Sequence, residues 1–418
     1  MLKTPKESLK QEISSIVQTL KKAKKDRLSA CIDQNWGKTA LAYSKELNAW
    51  KPTRQMEPEF LSAFNKELTR LDIEKTDRSK ILKNIEKNRI LQTAPHLGAT
   101  ENPRMLCINW LGSLGVSLKD FYIVAMFSGI PFSNRSHPGR INRKKDSINL
   151  FPSSMQDGLV YRSVIADKLI KTEPELEEEI RKFLPKAMLG NSYTKWALQT
   201  CQNIEQKILK KENMVYLDIN EVVTEYLVQV LEKENHVFHK IFFNPKIRAE
   251  FMQTFPNEIM FYSPFLDGKY ERMENITFFK NILKGKHKEI TLGDPKSLIK
   301  ELKEGRLCPA LLTGFLALAF LNEFKCLGSF AQVEYLPVYQ KKLAELKFLK
   351  DYNVQGVPTA NLTTGVFPFN PELYPIDIIL GDKFIPDKNT SFGELLLPMK
   401  KTLLESYFTG SERKNDKK

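Results

Sequence analysis

The chain has 418 residues, of which 42% are hydrophobic and 27% are charged, the proportions of a globular protein with a sizeable core. No apolar run is long enough to cross a bilayer, since the longest, 310–321, is followed by polar and charged residues. The N-terminus lacks the apolar core of a signal peptide, and Glu7 and Glu12 interrupt its lysines, unlike a transit peptide. We therefore expect a cytoplasmic protein with no membrane partner.

The formal net charge of +14 suits a polyanionic partner, because lysine and arginine release counterions from phosphates. The alternative is a merely lysine-rich composition, since the charge is spread along the chain and no aromatic-interleaved RNA motif is present. The five cysteines have no C-x-x-C spacing, which argues against a zinc ribbon or a disulfide framework. We expect them to be reduced and mostly buried: Cys31, Cys107, Cys201, Cys308 and Cys326.

The first 88 residues have helical periodicity and few features of a sheet. Apolar residues recur at helical spacing from Leu9 to Leu20, and a run of lysines closes that helix at residue 25. Two further helices are predicted at 57–71 and 77–88. We interpret 1–88 as a mostly solvated helical layer, 89–350 as the core domain, and 351–418 as an irregular segment whose basic tail, from residue 411, is predicted to be disordered.

From residue 89 the pattern changes to that of an α/β protein. A strand at 90–93 is followed by a loop and by an apolar helix at 103–111, which Gly112 and Gly115 terminate. A second, continuously apolar strand follows at 121–127. Strands without alternation that are joined through a helix are typical of a parallel sheet buried on both faces. The predicted fold is therefore a Rossmann-like parallel sheet with helices on both faces and a helical N-terminal addition.

Further elements are predicted along the rest of the core domain. The segment 140–162 has little periodicity and is interpreted as a long functional loop. Helices are expected at 174–183, 194–210, 219–232, 295–304, 309–324 and from the Gln332 region to 349, strands at 214–217, 237–243 and 258–265, and a loop at 326–330.

Two loops at the carboxyl edge of the predicted sheet carry histidines. His96 follows the first strand, and His137 follows the second; ligands of open parallel sheets bind at this edge. An imidazole there can bind phosphate oxygens or act as a general acid or base. Gly98 would let the backbone approach a phosphate ahead of a helix N-terminus. The alternative for His96 is a structural turn histidine.

The loop around His137 is basic and polar, which makes an anion site plausible. Its predicted ligand-binding residues are Asn134, Arg135, Arg140 and Arg143, and the alternative is a solvated basic loop. His236 and His239 would lie on opposite faces of a strand, so no metal site is predicted there. No Walker loop, G-x-S-x-G elbow, HExxH or cysteine-based metal motif is present.

The segment Thr93-Ala94-Pro95-His96-Leu97-Gly98 resembles the HIGH-type signature of nucleotidyltransferase-like folds. The segment 326–343, with its Gly328 and Glu334-Tyr335, is similar to a glycine-rich segment of bacillithiol-biosynthesis cysteine-adding enzymes. The resemblance implies that the protein binds ATP or another nucleotide and condenses an amino acid with an acceptor. It implies that Thr93, His96 and Gly98 hold the nucleotide, that His137 and Arg140 bind anionic oxygens, and that Gln332, Glu334 and Tyr335 orient the second substrate.

These observations favour an enzyme, of ligase or transferase type, that acts on an anionic small molecule. Its predicted catalytic residues are His96, His137 and Glu334. The alternative is a basic nucleic-acid-binding protein with an α/β scaffold, and a third interpretation is a catalytically silent interaction protein. An arginine-lined pocket between 135 and 145 would favour the enzyme, whereas an open basic stripe would favour nucleic acid.

Overall fold

The computed structural model describes residues 4–404, and the predicted basic tail lies outside that range. The fold is α/β, as predicted. Its central sheet has four parallel strands in the order β11-β1-β2-β5. These strands are β1 (Ile90–Gln92), β2 (Tyr122–Met126), β5 (Met214–Asp218) and β11 (Lys325–Leu327).

Helices surround this sheet and supply the N-terminal region. They are α1 (Pro5–Lys22), α2 (Asp26–Asn35), α3 (Ala40–Leu47), α4 (Pro58–Arg70), α5 (Lys75–Asn88), α6 (Pro103–Ser113), α7 (Asp167–Thr172), α8 (Glu178–Arg181), α9 (Tyr193–Leu209), α10 (Ile219–Val230), α11 (Val237–Phe243), α12 (Pro245–Thr254), α13 (Pro295–Lys303), α14 (Leu311–Phe315), α15 (Phe330–Ala344), α16 (Pro375–Ile379) and α17 (Phe392–Leu396). A π-helical segment, Leu316–Leu321, continues α14.

Two antiparallel sheets lie outside the central one. The larger has the order β10-β6-β7-β8-β9 and comprises β6 (Ile259–Asp267), β7 (Tyr270–Phe279), β8 (Ile282–Lys284), β9 (Glu289–Thr291) and β10 (Cys308–Pro309). The smaller is a hairpin of β3 (Arg140–Asn142) and β4 (Ser147–Asn149), which lies within the segment predicted to be a loop. The sequence indicated the first strand of the larger sheet but not its partners.

The β1-α6-β2 crossover follows from local sequence. Every residue of β2 is buried, as expected for a parallel strand covered on both faces. The side chain of Asn102 caps α6 by accepting a hydrogen bond from the Met105 amide at 3.1 Å, and Pro103 occupies the first helical turn, where no amide is needed. The strand therefore passes through a short loop, 93–102, into the N-terminus of α6.

The N-terminal region has five helices rather than the three predicted. Its apolar residues, including Ile16, Leu28 and Phe64, are buried in the same hydrophobic cluster as the central strands. Helix α4 packs against α10 of the core. The prediction of a mostly solvated layer is wrong in this respect, because one amphipathic face of each of α1 and α4 is covered.

Three predictions about later elements need correction. Residues 237–243 form α11 and not a strand, because Val237, Phe238, Ile241 and Phe242 bury one helical face. The predicted helix at 309–324 begins with β10 and ends in the π-helical segment. Residues Lys325–Leu327, predicted in part as a loop, form the edge strand that pairs with β1.

None of the helices within residues 4–404 is long and apolar enough to cross a membrane.

Candidate functional site

One cleft, of about 560 Å³, opens at the carboxyl ends of β11, β1 and β2. It is lined by the loop that follows β1, by residues 134–136 of the loop that follows β2, and by the N-terminal turn of α15. The sequence predicted the first two segments at one sheet edge, and the resemblance associated the third with them; all three line this cleft. Its walls also include Phe127 and Leu311, so the cleft has both apolar and polar surface.

Thr93 and Gln332 form the buried floor of the cleft. The Thr93 amide donates to the carbonyl of Leu327 at 2.9 Å, which extends the β1-β11 pairing by one residue. Its hydroxyl lies 2.9 Å from Nε2 of Gln332. Gly328 makes this arrangement possible, because a Cβ there would lie 2.3 Å from Cδ of Gln332. Both polar side chains are therefore held in fixed positions.

His96 lies on the wall of the cleft with its backbone tied to the sheet. The amide of Leu97 donates to the carbonyl of Phe127 at 2.9 Å, and Nδ1 of His96 lies 3.2 Å from Oδ1 of Asn134. Burial lowers the pKa of His96, and Arg104 lowers it further against the opposing effect of the Asn134 hydrogen bond. The imidazole is therefore neutral at pH 7, in the form that can accept or donate one proton.

Two arginines supply positive charge to the cleft. Arg135, which the sequence indicated, is exposed, and Arg104, which also lines the cleft, is partly exposed. Within residues 4–404 neither guanidinium has a hydrogen-bond or ion-pair partner. Burial lowers the pKa of Arg104, partly offset by the charge of Glu101. A bound anion would relieve that unfavourable burial of charge.

Two helix N-termini reach the same cleft. Asn102 and Met105 belong to the first turn of α6, and Ser329, Phe330 and Ala331 belong to the start of α15. Ser329 makes no side-chain cap, so the first amides of α15 have no acceptor among the described residues. Free amides at a helix N-terminus carry partial positive charge and favour anions.

Arg104 was not among the residues predicted from the sequence, although its position contained a signal. It follows Asn102-Pro103 at the second position of α6, where the helix dipole disfavours a cation. A cation at such a position gains stability when an anion binds beside it. The unusual position of a cation in the first turn of a helix could therefore have indicated Arg104.

Of the other predicted site residues, Glu334 and Gly98 lie outside the cleft and Tyr335 lines it. Glu334 points away from the cleft, where its Oε1 accepts from the Leu28 amide at 2.9 Å and so caps α2, whose N-cap residue makes no such bond. Gly98 is buried, and a Cβ there would contact Cα of Pro138 at 3.4 Å, so it does not line the cleft. Tyr335 lines the cleft and packs on Phe315, their ring centroids 5.8 Å apart.

The basic residues after Arg135 do not join the cleft. His137 is exposed in a left-handed turn with φ of 54°. Arg140 lines a separate cavity of about 130 Å³ with Phe132 and Lys168. Arg143 forms ion pairs with Asp146 and with Glu177, at 2.6 Å in the latter case. The arginines therefore form neither one closed pocket nor one open stripe.

A second polar network occupies the neighbouring part of the sheet edge. The hydroxyl of Ser128, after β2, donates to Oδ1 of Asp218, at the end of β5, at 2.8 Å. Asp218 is fully buried, and its Oδ2 has no partner. Burial, together with the charges of Glu221 and Glu67, raises the pKa of Asp218 to about 8. No pattern in the sequence indicated this network.

The histidines at 236 and 239 do not converge. Nε2 of His236 lies 3.0 Å from the Tyr226 hydroxyl and 3.1 Å from Oε2 of Glu57, and its Nδ1 caps α11. Nδ1 of His239 lies 2.6 Å from the carbonyl of Leu231. Both therefore have structural partners.

No model of a known protein family matches this chain, and a search of curated proteins finds no significant match.

Proposed function

We propose that the cleft binds a nucleotide or another phosphorylated small molecule, and that the protein is an enzyme acting on it. The observation that carries this proposal is the convergence of two unpaired arginines, Arg104 and Arg135, with the uncapped N-terminus of α15 on one cleft. Arginine forks and free helix amides are the groups that bind phosphate oxygens. Nothing anionic in the described lining opposes such a ligand.

The chemistry proposed for the cleft is transfer of a group to or from the phosphorylated ligand, as in a transferase or ligase. A phosphoryl or nucleotidyl transfer needs mainly positioning and stabilisation of negative charge, which arginines and amides supply. His96, as a neutral imidazole held by Asn134, is the proposed general base for an incoming nucleophile. Gln332 and Tyr335 would contact the second substrate from the α15 side.

ATP is the proposed nucleotide, and the size of the cleft supports this class of ligand. Ligand sites for compounds of this size have volumes of about 300–1,000 Å³, and this cleft is about 560 Å³. The aromatic rings of Phe127 and Tyr335 would pack against the apolar part of the ligand. An amino acid is the proposed second substrate, on the basis of the resemblance alone.

The test is a comparison of matched ligands by thermal unfolding. ATP and pyrophosphate should raise the melting temperature, since a ligand at 100 times its Kd stabilises the folded state by about 2.7 kcal/mol. Adenosine, which lacks phosphates, should raise it less. Arg135→Ala should reduce the response to pyrophosphate, whereas Arg140→Ala, outside the cleft, should retain it. Equal responses to ATP and adenosine would reject a phosphate-binding cleft.

A second candidate function is binding of single-stranded nucleic acid by the larger antiparallel sheet. Tyr270 and Phe279 on β7 are 43% and 51% exposed. Lys269 lies 5.6 Å from the Tyr270 ring centroid, and Lys284 lies 5.5 Å from that of Phe279. An exposed ring beside a lysine can stack on a base. Tyr270 and Phe279 lie at opposite ends of β7 and on opposite faces of the strand, so each ring would contact a base separately.

This candidate is tested with a fluorescent single-stranded oligonucleotide at several salt concentrations. Binding should weaken as salt rises, and Phe279→Ala should weaken it without changing the response of the cleft to pyrophosphate. Binding that Phe279→Ala and Tyr270→Ala leave unchanged would remove this surface from consideration.

A further inference from the structure

A buried cluster of potential metal ligands lies behind the cleft. Glu101 immediately precedes the cap of α6, and Cys201 and Glu205 are four residues apart on one face of α9. One carboxylate oxygen of each glutamate and the Cys201 Sγ all lie within 4.8 Å of one another. The three residues are 5%, 1% and 0% exposed. Two remote parts of the chain therefore place three ligating atoms around one point.

Several oxygens at this cluster have no partner. Oε1 of Glu101, Oε1 of Glu205 and Oδ1 of Asn109 are buried without a hydrogen bond. The Asn109 side chain is directed to the cluster, because its Nδ2 donates to Oε2 of Glu205 at 2.9 Å. The Tyr216 hydroxyl donates to the same Oε2. Buried polar atoms are rarely left unpaired in native proteins, and an unobserved ion is a recognised explanation.

We propose that Glu101, Cys201 and Glu205 bind a divalent metal ion, with Zn²⁺ as the preferred ion. Zinc accepts both carboxylate and thiolate ligands, whereas magnesium and calcium avoid sulfur. Ligand atoms around a tetrahedral zinc ion are roughly 3.3–3.8 Å apart for bond lengths of about 2.0–2.3 Å. The three ligating atoms lie within 4.8 Å of one another, so metal binding would shorten each separation by at most about 1.5 Å. Oδ1 of Asn109, or a water, completes the coordination.

The occupied site would have a small net charge. Two carboxylates and one thiolate leave a single negative charge on a divalent ion. Arg104 lies close enough to Glu101 for their charges to shift each other's pKa. The ion would join the N-terminus of α6 to α9, and would thereby hold Arg104 at the cleft. The inference does not depend on what the cleft binds.

The test uses the full-length protein after dialysis against a chelator, titrated with Co²⁺ and then with Zn²⁺. One equivalent of Co²⁺ should produce a thiolate-to-metal charge-transfer band in the near ultraviolet, and Zn²⁺ should displace it. Cys201→Ala should abolish the band. Cys107→Ala, which removes a buried cysteine of α6 outside the cluster, should retain it. Asn109→Ala should weaken Zn²⁺ binding about 10–100-fold.

Zn²⁺ should also raise the melting temperature of the wild-type protein, but not that of Glu101→Gln or Glu205→Gln. Failure of the folded wild-type protein to bind one equivalent of either metal would overturn the proposal, whatever the variants do. A charge-transfer band that survives in Cys201→Ala would overturn it as well. Pyrophosphate binding by the metal-free protein is measured in parallel, so a negative metal result remains separate from the function of the cleft.

Discussion

Replacement of Arg104 by glutamine should sharply weaken binding of pyrophosphate and ATP. Glutamine keeps much of the length and polarity of the side chain but removes the charge. Arg104 has no competing ion pair within residues 4–404, so its guanidinium is available to a ligand. Burial lowers the pKa of Arg104, as it does that of His96, so a bound anion would stabilise its charged form.

The size of this effect follows from the contacts that are lost. A hydrogen bond to a charged group contributes about 1.5–3 kcal/mol. Two unit charges about 4 Å apart attract by about 4 kcal/mol at an effective dielectric constant of about 20, before the cost of removing water. We therefore expect a loss of about 2–3 kcal/mol, which is roughly a 30- to 150-fold increase in Kd.

Isothermal titration calorimetry with pyrophosphate measures this change directly. Arg140→Gln provides the matched control, because Arg140 lines a different cavity and should bind pyrophosphate as the wild type does. The melting temperature of the free Arg104→Gln protein should not fall, since the substitution removes a cation from a helix N-terminus. If the wild type binds pyrophosphate and Arg104→Gln binds it with the same Kd, the proposed contact between Arg104 and the anion is refuted.

Three further predictions concern individual side chains. A bound phosphate should raise the lowered pKa of His96, so the affinity of the wild type for pyrophosphate should increase as pH falls. His96→Gln should lose this increase, and equal pH profiles of affinity for the two proteins would contradict the prediction. Asp218 has a raised pKa, so its stabilising effect is fully present below its ordinary pKa of 3.8 and is lost as pH rises to about 8. Between these pH values the unfolding free energy of the wild type should therefore fall with pH more steeply than that of Asp218→Asn, by up to about 1.4 kcal/mol per pH unit. Chemical denaturation at a series of pH values measures both curves, and parallel curves would refute this role of Asp218. Glu334→Ala should lower the unfolding free energy by about 0.5–2 kcal/mol because α2 loses its cap, and Glu334→Gln, which keeps an acceptor, should lower it less. Neither variant should change the affinity for pyrophosphate, and a loss of affinity would show that Glu334 contributes to the site.

The central α/β unit could be predicted because its signals are local. Continuous burial of a short apolar strand, an Asn-Pro helix start and a second apolar strand specify β1, α6 and β2 without reference to the rest of the chain. The carboxyl edge of the sheet, and thus the meeting of the loops at His96 and Asn134, follows from that unit. These features were present in the sequence.

Local signals were misleading where helix and strand preferences coincide. The aromatic and β-branched residues of 237–243 favour a strand, but packing of one face against the core produces α11. The edge strand Lys325–Leu327 is too short to give a pattern of its own. It exists because β1 supplies its hydrogen-bond partners.

The sequence alone determined the parallel α/β core, the edge at which a ligand would bind and the residues His96, Asn134 and Arg135 near it. Only the tertiary structure decided that Arg104 faces them, that Glu334 caps α2, and that Glu101 meets Cys201 and Glu205. The reason is that burial and charge pairing depend on contacts between side chains of different elements, such as Glu334 with Leu28 and Glu101 with Cys201. Local pattern fixes which elements form, whereas packing of those elements decides which side chains share a site.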